Sequence, residues 1–451
     1  MRKNGQGINV LSLFDGISCG QIALERAGIN KVKYMASEIK PWAINLTTTK
    51  WPNTQEIGDV LKIHLDKTTR KLYSNCGRVV IACLGNKVDG LDKHKDKQEW
   101  TKDEIENFEK NGMKVLNNGD VLKYSWTKQE TLDFIAKGYE LAPSGEVIDW
   151  DTSIGNLIHD SEEEGCIDLL IGGSPCQDFS TAGAFSGKVK NGEYGLNGLK
   201  SRLFYEYLRI MKEIQNARKD NEKPLIFFLE NVKMQKPSEK ALNEYMGVEG
   251  IHINSNLLSF QHRDRIYWTN IYEITGQPFV MPEDKNYNFQ DFKELPQHGE
   301  DAKKRLAEAL LADTISRRKM WDDGNHKYKF SCKNITNEPK VSCLTTKQDR
   351  CPNSGLIAID VNDVIDYLPD NKKRMNCRFI TKREVELAQT YEPGYLDSLS
   401  YLQAQNVAGD GWTADVIAYF FKDLPKEFKE GFELPKDKKP WNLDDYKVNN
   451  K

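Results

Sequence analysis

Cys176 stands in the run IDLLIGGSPCQDFS, directly after Gly-Gly-Ser-Pro, where an apolar strand-like segment gives way to a loop. Open α/β sheets bind their ligands outside the carboxyl edge of the strands, so a thiol in that loop sits where a reaction could take place. The chemistry open to it is nucleophilic addition through the thiolate. Taken alone, a cysteine after a strand is more often a small core residue. Glu230 ends a second such run, PLIFFLE, and Arg263 and Arg265 in QHRDR are two residues apart. In an extended segment that spacing turns both guanidinium groups to one face. Glu38 follows the run VKYMAS, about 20 residues past the start of the glycine-bearing FDGISCG, a spacing that suits contact with a ribose hydroxyl. The turn reads DGxxxG instead of GxGxxG, which favours a nucleotide-like cofactor without a diphosphate.

Regular elements must hold these residues. Residues 8–14 (INVLSLF) form a short apolar run, followed by the glycine turn and by QIALERAG, whose apolar spacing and closing Gly28 predict a helix. Further strands are expected over 32–37, 167–173, 224–230 and 265–271, with a helix over SRLFYEYLRIMKEI. Strands alternating with helices predict an α/β fold around a parallel or mostly parallel sheet.

Taken together and in order, FDGISCG, SEIKPW, GDV, the Ser174–Ser180 loop, FFLENV, QHRDR, RFITKREVELAQTYEPGY and NVAGDGWTADVIAYF resemble the DNA cytosine-5 methyltransferases. The resemblance covers most of residues 8–74, 166–275 and 376–422. VLSLFDGI, IGGSPC, Asp178, SRLFYEYLRI and Trp412 are closer to the animal de novo DNA methyltransferases, and Asp410 stands where many members have Asn. The resemblance implies a Rossmann-like, class I S-adenosylmethionine-dependent methyltransferase sheet with an inserted small subdomain and a separate target-recognition region. It makes Cys176 the nucleophile, Glu230 a hydrogen-bonding acid at the ring, and Arg263 and Arg265 the groups that bind the base carbonyl and a phosphate and lower the thiol pKa. It assigns Phe14, Asp15, Gly16, Gly20, Glu38, Ile39, Asp59, Val60, Pro175, Leu203 and Trp412 to S-adenosylmethionine, and Gln177, Ser180 and Gln261 to DNA. The target base would be extruded from the duplex, because its reacting carbon is inaccessible in the stack. Two other readings stay open: a tRNA cytosine-5 methyltransferase, and a catalytically inactive DNA-binding regulator on the same fold.

The 451 residues exceed what one core usually organises. The expected division is a catalytic core over 1–275 with an insert at about 75–166, a target-recognition region over 276–377, and a segment over 378–451 that completes the core. With 39% hydrophobic and 29% charged residues and no apolar run near the roughly 20 that span a bilayer, the composition suits a soluble protein. Nine cysteines without CxxC or Cys/His ligand spacing argue against a disulfide framework or structural zinc, and for a reducing, cytoplasmic setting. No metal is expected. The net charge of -3 hides a segregation, since residues 84–166 carry 10 Lys and Arg against 19 Asp and Glu. Residues 314–378 reverse the balance, with 13 basic against 8 acidic, and their loop SCLTTKQDRCPNSG, with Lys347 and Arg350, is the candidate duplex-DNA surface. The acidic insert is expected to face away from the phosphates, and its excision to leave DNA affinity intact if the core still folds. A cognate restriction endonuclease is a candidate partner.

Overall fold

The computed structural model describes residues 7–83, 113–115, 121–123, 140–144, 146–175, 203–318, 321, 332–346, 353–368, 370, 372–430 and 439–448. An apolar run without polar alternation makes a strand covered on both faces, and strand β1 (Ile8–Leu13) is buried at all six positions. It lies inside a seven-stranded sheet with β2 (Val32–Ser37), β3 (Gln55–Glu56), β4 (Leu169–Gly172), β5 (Ile226–Val232), β6 (Ile251–Asn254) and β7 (Asp264–Thr269). The spatial order is β6-β7-β5-β4-β1-β2-β3. Neighbours from β3 through β5 pair in parallel, while β7 runs antiparallel between β5 and β6. The carboxyl ends of β1, β2, β4 and β5 therefore share one edge, which brings the glycine turn, Glu38, the Cys176 loop and Glu230 to the same side of the sheet.

Helices cover both faces. Helix α1 (Cys19–Arg26) follows the turn, and α2 (Pro41–Lys50) follows β2. Helix α3 (Leu203–Asn216) and α4 (Lys236–Met246) pack with Leu11, Leu13, Phe227 and Leu229. The opposite residues of the same strands, Val10, Ile171 and Phe228, pack with α1 and the late helix α8 (Ala414–Phe421). Phe420 and Phe421 each meet Phe228 edge-on at 5.2 Å, a preferred aromatic geometry.

The insert starts earlier than the sequence suggested. Residues 64–66, 71–74 and 156–160 form one antiparallel sheet, and 77–83, 140–141 and 146–151 another. The run KGYELAPSGEVIDW reads as a hairpin in the sequence, and residues 140–141 pair antiparallel with 147–148. The sequence also predicts a short helix over 102–110, which lies outside the described residues. A buried ionic network fastens the insert to α3. Arg209 is almost wholly buried and bonds Glu206 (2.9 Å), Glu213 and the carbonyl of Ile63 (2.8 Å), while Arg78 pairs with Glu206 at 2.9 Å. The Trp150 ring lies under both guanidinium groups, at 4.8 and 5.7 Å, and His64 stacks on it at 4.9 Å.

Residues 276–377 contain α5 (Glu300–Ala309) and a small antiparallel sheet of 310–312, 357–358 and 374–378, so its last strand runs across the expected boundary after residue 377. This region has small apolar clusters of its own and also feeds Tyr287, Phe289, Phe292, Val341 and Leu344 into the main core. Helix α6 (Lys382–Ala388) begins with a capping box of Thr381 and Glu384, and Glu384 also pairs with the buried Arg378. Helix α7 (Tyr401–Asp410) precedes α8. No helix among the described residues is long and apolar enough to cross a membrane.

Candidate active site

The turn after β1 is held in an unusual conformation. Phe14, Gly16 and Ser18 have φ of 58°, 62° and 57°, which non-glycine side chains adopt only where neighbours enforce it. The enforcement comes from Asp15, whose carboxylate accepts from Ser12 (2.6 Å), Tyr34 (2.7 Å) and Ser18. Burial pushes its pKa up, against those three hydrogen bonds. Glu38 closes the turn from the other strand. One oxygen accepts from the Gly16 amide at 2.9 Å, and the other from the amides of Ile39 and Lys40 at 2.8 and 2.9 Å. A Cβ at Gly16 would project into open space, and Ile39 is 59% exposed beside it. Gly20 differs, because a Cβ there would sit 2.4 Å from Ile171 and 2.5 Å from Tyr34. Its place is the close contact of α1 with the sheet. Asp59 caps the short turn that starts at Val60 by accepting from the Leu61 amide. Leu203 opens α3, and Lys40 pairs with Asp410 at 2.6 Å.

The segment that leads to Cys176 leaves β4 through Gly173, Ser174 and Pro175; Cys176, Gln177 and Ser180 lie outside the described residues. Its root is tightly defined. Asn231 donates to the Ser174 hydroxyl at 3.0 Å and to its carbonyl at 3.3 Å. Sequence reasoning gave Asn231 no role, although its place in Glu-Asn-Val beside Glu230 was the available signal. A Cβ on Gly173 would lie 2.8 Å from the Trp412 ring nitrogen and 3.2 Å from Glu230 Oε2. Trp412 is buried at this junction, edge-on to Phe228.

Glu230 is paired with Arg265, its Oε1 being 2.8 Å from Nε. Arg263 and Arg265 do share a face, since both reach toward Cys343 Sγ, at 3.3 and 3.9 Å. Their environments are unequal. Arg263 is 2% exposed and donates to the carbonyls of Leu344 (3.1 Å), Gly409 (3.0 Å) and Gly411 (2.6 Å). A guanidinium used in this way ties chain segments together. Gln261, which the resemblance assigns to DNA, lies in the core. It is fully buried, donates to Ala388 O and Gln389 Oε1, and accepts from the Leu344 amide. Lys347 and Arg350 lie outside the described residues, but the flanking segment is docked on the core. Val341 pairs with Phe260 and His262, and Asn353 donates to the Cys343 carbonyl at 2.9 Å. Among the described residues, Cys343 is a thiol beside these arginines: burial would push it up, yet the two guanidinium groups hold it below the ordinary thiol value. Cys19, by contrast, is buried against the Tyr391 hydroxyl, and burial pushes its thiol up to about 11.

A parallel sheet with a glycine turn, a strand-end acid, and a carboxylate–arginine pair beside a Pro-Cys loop defines a methyltransferase-like site. The chain matches the model of the C-5 cytosine-specific DNA methylases over residues 127–426, and it belongs to that family. It is 28% identical over 173 residues to the type II methyltransferase M.FnuDI of Fusobacterium nucleatum, covering 34% of this chain and 46% of that one. It is 26% identical over 265 residues to M1.ScrFI of Lactococcus lactis subsp. cremoris, covering 55% and 60%. The orphan methyltransferase M.Rho11sI of Bacillus phage rho11s is 32% identical over 132 residues, covering 26% and 23%. The chain thus spans about half the length of the first two of these relatives. Among solved structures, the Entamoeba histolytica methyltransferase EhMeth aligns with a TM-score of 0.49 at 14% identity, covering 92% of this chain and 98% of that one.

Proposed function

We propose that this chain is a DNA cytosine-5 methyltransferase, in which the Cys176 thiolate adds to carbon 6 of an extruded cytosine and carbon 5 is methylated from S-adenosylmethionine. The observation that carries the reading is the junction at Gly173, where the root of the Cys176 loop, the Glu230–Arg265 pair and Trp412 meet. Family membership supplies the reaction class, and this junction supports an intact catalytic centre over an inactive regulator. The turn fits S-adenosylmethionine, since Gly16 is open on its outer side, the Glu38 carboxylate borders it, and Ile39 offers an exposed apolar face. The cofactor supplies an electrophilic methyl group.

Thiolate addition to carbon 6 consumes the 5,6 double bond and leaves carbon 5 nucleophilic. Glu230 donates a proton on its second oxygen, Oε2, to the ring where negative charge gathers, while Arg265 holds Oε1 and so orients the carboxyl group. Once carbon 5 has taken the methyl group, loss of its proton expels the Cys176 thiolate and restores the ring. The basic stretch 314–378, with Lys347 and Arg350, presents the charge that duplex phosphates require. The 265-residue match to a type II enzyme supports a cognate restriction endonuclease as partner.

Duplex DNA carrying 5-fluorocytosine tests the reading, because fluorine cannot leave as the proton does. A denaturation-resistant adduct should form only with S-adenosylmethionine present and map to the peptide containing Cys176. Glu230→Gln should slow its formation by about 100-fold or more, the scale of a lost general acid. Methyl transfer that persists in Cys176→Ser, or that goes to tRNA and not to duplex DNA, would overturn it.

A further inference from the structure

A cleft of about 230 Å³ is formed by α1, the end of α2 and the start of β2, and none of the residues assigned to cofactor or DNA lines it. Its inner part is apolar and aromatic. Leu24, Ile29 and Tyr34 are buried there, and Trp51 is half-buried, while Asn30 and Asn53 are exposed at its rim. Three lining residues are also hydrogen-bonded to the cofactor turn or to a residue that holds it. Tyr34 donates to Asp15 Oδ1 at 2.7 Å, and Gln21 donates to Ser18 Oγ at 3.2 Å. Trp51 donates to the Tyr395 hydroxyl at 3.1 Å, and that hydroxyl donates to the Ile17 carbonyl at 2.7 Å. Asp15, Ile17 and Ser18 are therefore each one or two hydrogen bonds from the cleft.

We infer that this cleft is a binding site for a small, neutral, bicyclic heteroaromatic molecule, whose binding tightens that of S-adenosylmethionine through the turn. The coupling rests on the reading of the turn as the cofactor border. A cavity of about 150 Å³ takes benzene, so this larger one has room for a second fused ring. Small-molecule sites combine apolar and aromatic walls with a few polar groups that fix orientation. Here the amide side chains of Asn30 and Asn53 supply both donors and acceptors at the rim. Glu25 and Lys50 also line the cleft, with opposite charges, so it favours a ligand without net charge. A molecule that fits the cleft in this shape binds the arrangement in which Tyr34, Gln21 and Trp51 make their bonds toward the turn, and so favours the turn as the cofactor meets it. Linkage requires that S-adenosylmethionine tighten the second ligand by the same factor.

Indole, a neutral bicyclic ring with one N–H, is the probe. Calorimetry on the full-length protein should show it binding at millimolar concentration or tighter, the range open to a ligand of so few atoms. The dissociation constant of S-adenosylmethionine should fall about fivefold at saturating indole, the low end of ordinary coupling between sites. An azido-substituted indole, photolysed on the protein and mapped by peptide mass spectrometry, should label residues 21–34 or 50–53. Val32→Phe places a ring in the cleft and should weaken indole by about tenfold or more. The labelling of the parent protein decides the site even where that variant does not fold. No indole binding at about 5 mM, labelling outside those two segments, or an S-adenosylmethionine affinity indifferent to bound indole overturns the inference. Failure of S-adenosylmethionine to bind the parent protein without indole overturns the reading of the turn instead, and the labelling still decides the cleft.

Discussion

Glu56 ends the short edge strand beside the cofactor turn, and neither of its buried carboxylate oxygens has a hydrogen-bond partner among the described residues. Burial, and then the nearby Asp15 and Glu38, push its pKa up to about 8. An acid raised on folding stabilises the protein below its unfolded value and loses that contribution as pH rises through the folded one. Glu56 thus favours folding near pH 4.5 and ceases to do so by about pH 8. Glu56→Gln removes the ionisation, so the variant's Tm should gain on the parent's by about 2 °C or more between pH 5 and pH 9. A Tm difference that stays flat over that range in thermal scans counts against an unpartnered carboxyl. None of this was legible in the sequence, where Glu56 is one charged residue on a polar stretch. The pairing of Arg263 and Arg265 was legible as a shared face, because strand alternation dictates it. Alternation says nothing of depth, so the sequence could not separate the buried Arg263 from Arg265 on Glu230.

The strands of the main sheet could be placed from their apolar runs because a strand covered on both faces has no polar positions to blur its limits. The strands of the insert could not, since 64–66 and 71–74 are short and charged and depend on a partner at 156–160 that chain order hides. What no periodicity could reveal is the close contact at the end of β4. Gly173→Ala would drive a methyl group to 2.8 Å from Trp412 and 3.2 Å from Glu230. Overpacking of this kind costs about 1–3 kcal/mol. The expected result is a variant that still unfolds cooperatively, at a denaturant midpoint lowered to match, and that has lost most of its methyl transfer. Full activity together with an unchanged midpoint would show that the junction is looser than drawn.

At the scale of the molecule, the acidic insert is built into the catalytic half. Arg78 and Trp150 belong to its strands, and Glu206 and Arg209 to α3. Excision of residues 84–160 would remove Trp150 from beneath two buried guanidinium groups and take away the strand that pairs with 71–74. The insert therefore has a structural role beside its charge, and the excision tests DNA affinity only where the core still folds. Arg78→Ala isolates that role with the insert retained, leaving Glu206 with a single guanidinium partner in a buried setting. Breaking such a pair typically costs about 3–5 kcal/mol, and urea unfolding should report a loss of that order. A loss below about 1 kcal/mol, the range of exposed pairs, would mean that solvent reaches the network.

Helix α1 meets its covering partner only at the far end of the chain, where Arg26 bonds Asp415, 389 residues away, and lies 4.1 Å over the Trp441 ring. Ribosomes add about 5–20 residues per second, so the apolar face of α1 would wait about 20–80 s for α8 to emerge. During that interval β1 and α1 are an exposed hydrophobic hairpin in search of cover. The nascent chain would then depend on chaperones for most of its own synthesis, and a message cut short before residue 414 would yield a product for the proteases instead of a slow enzyme.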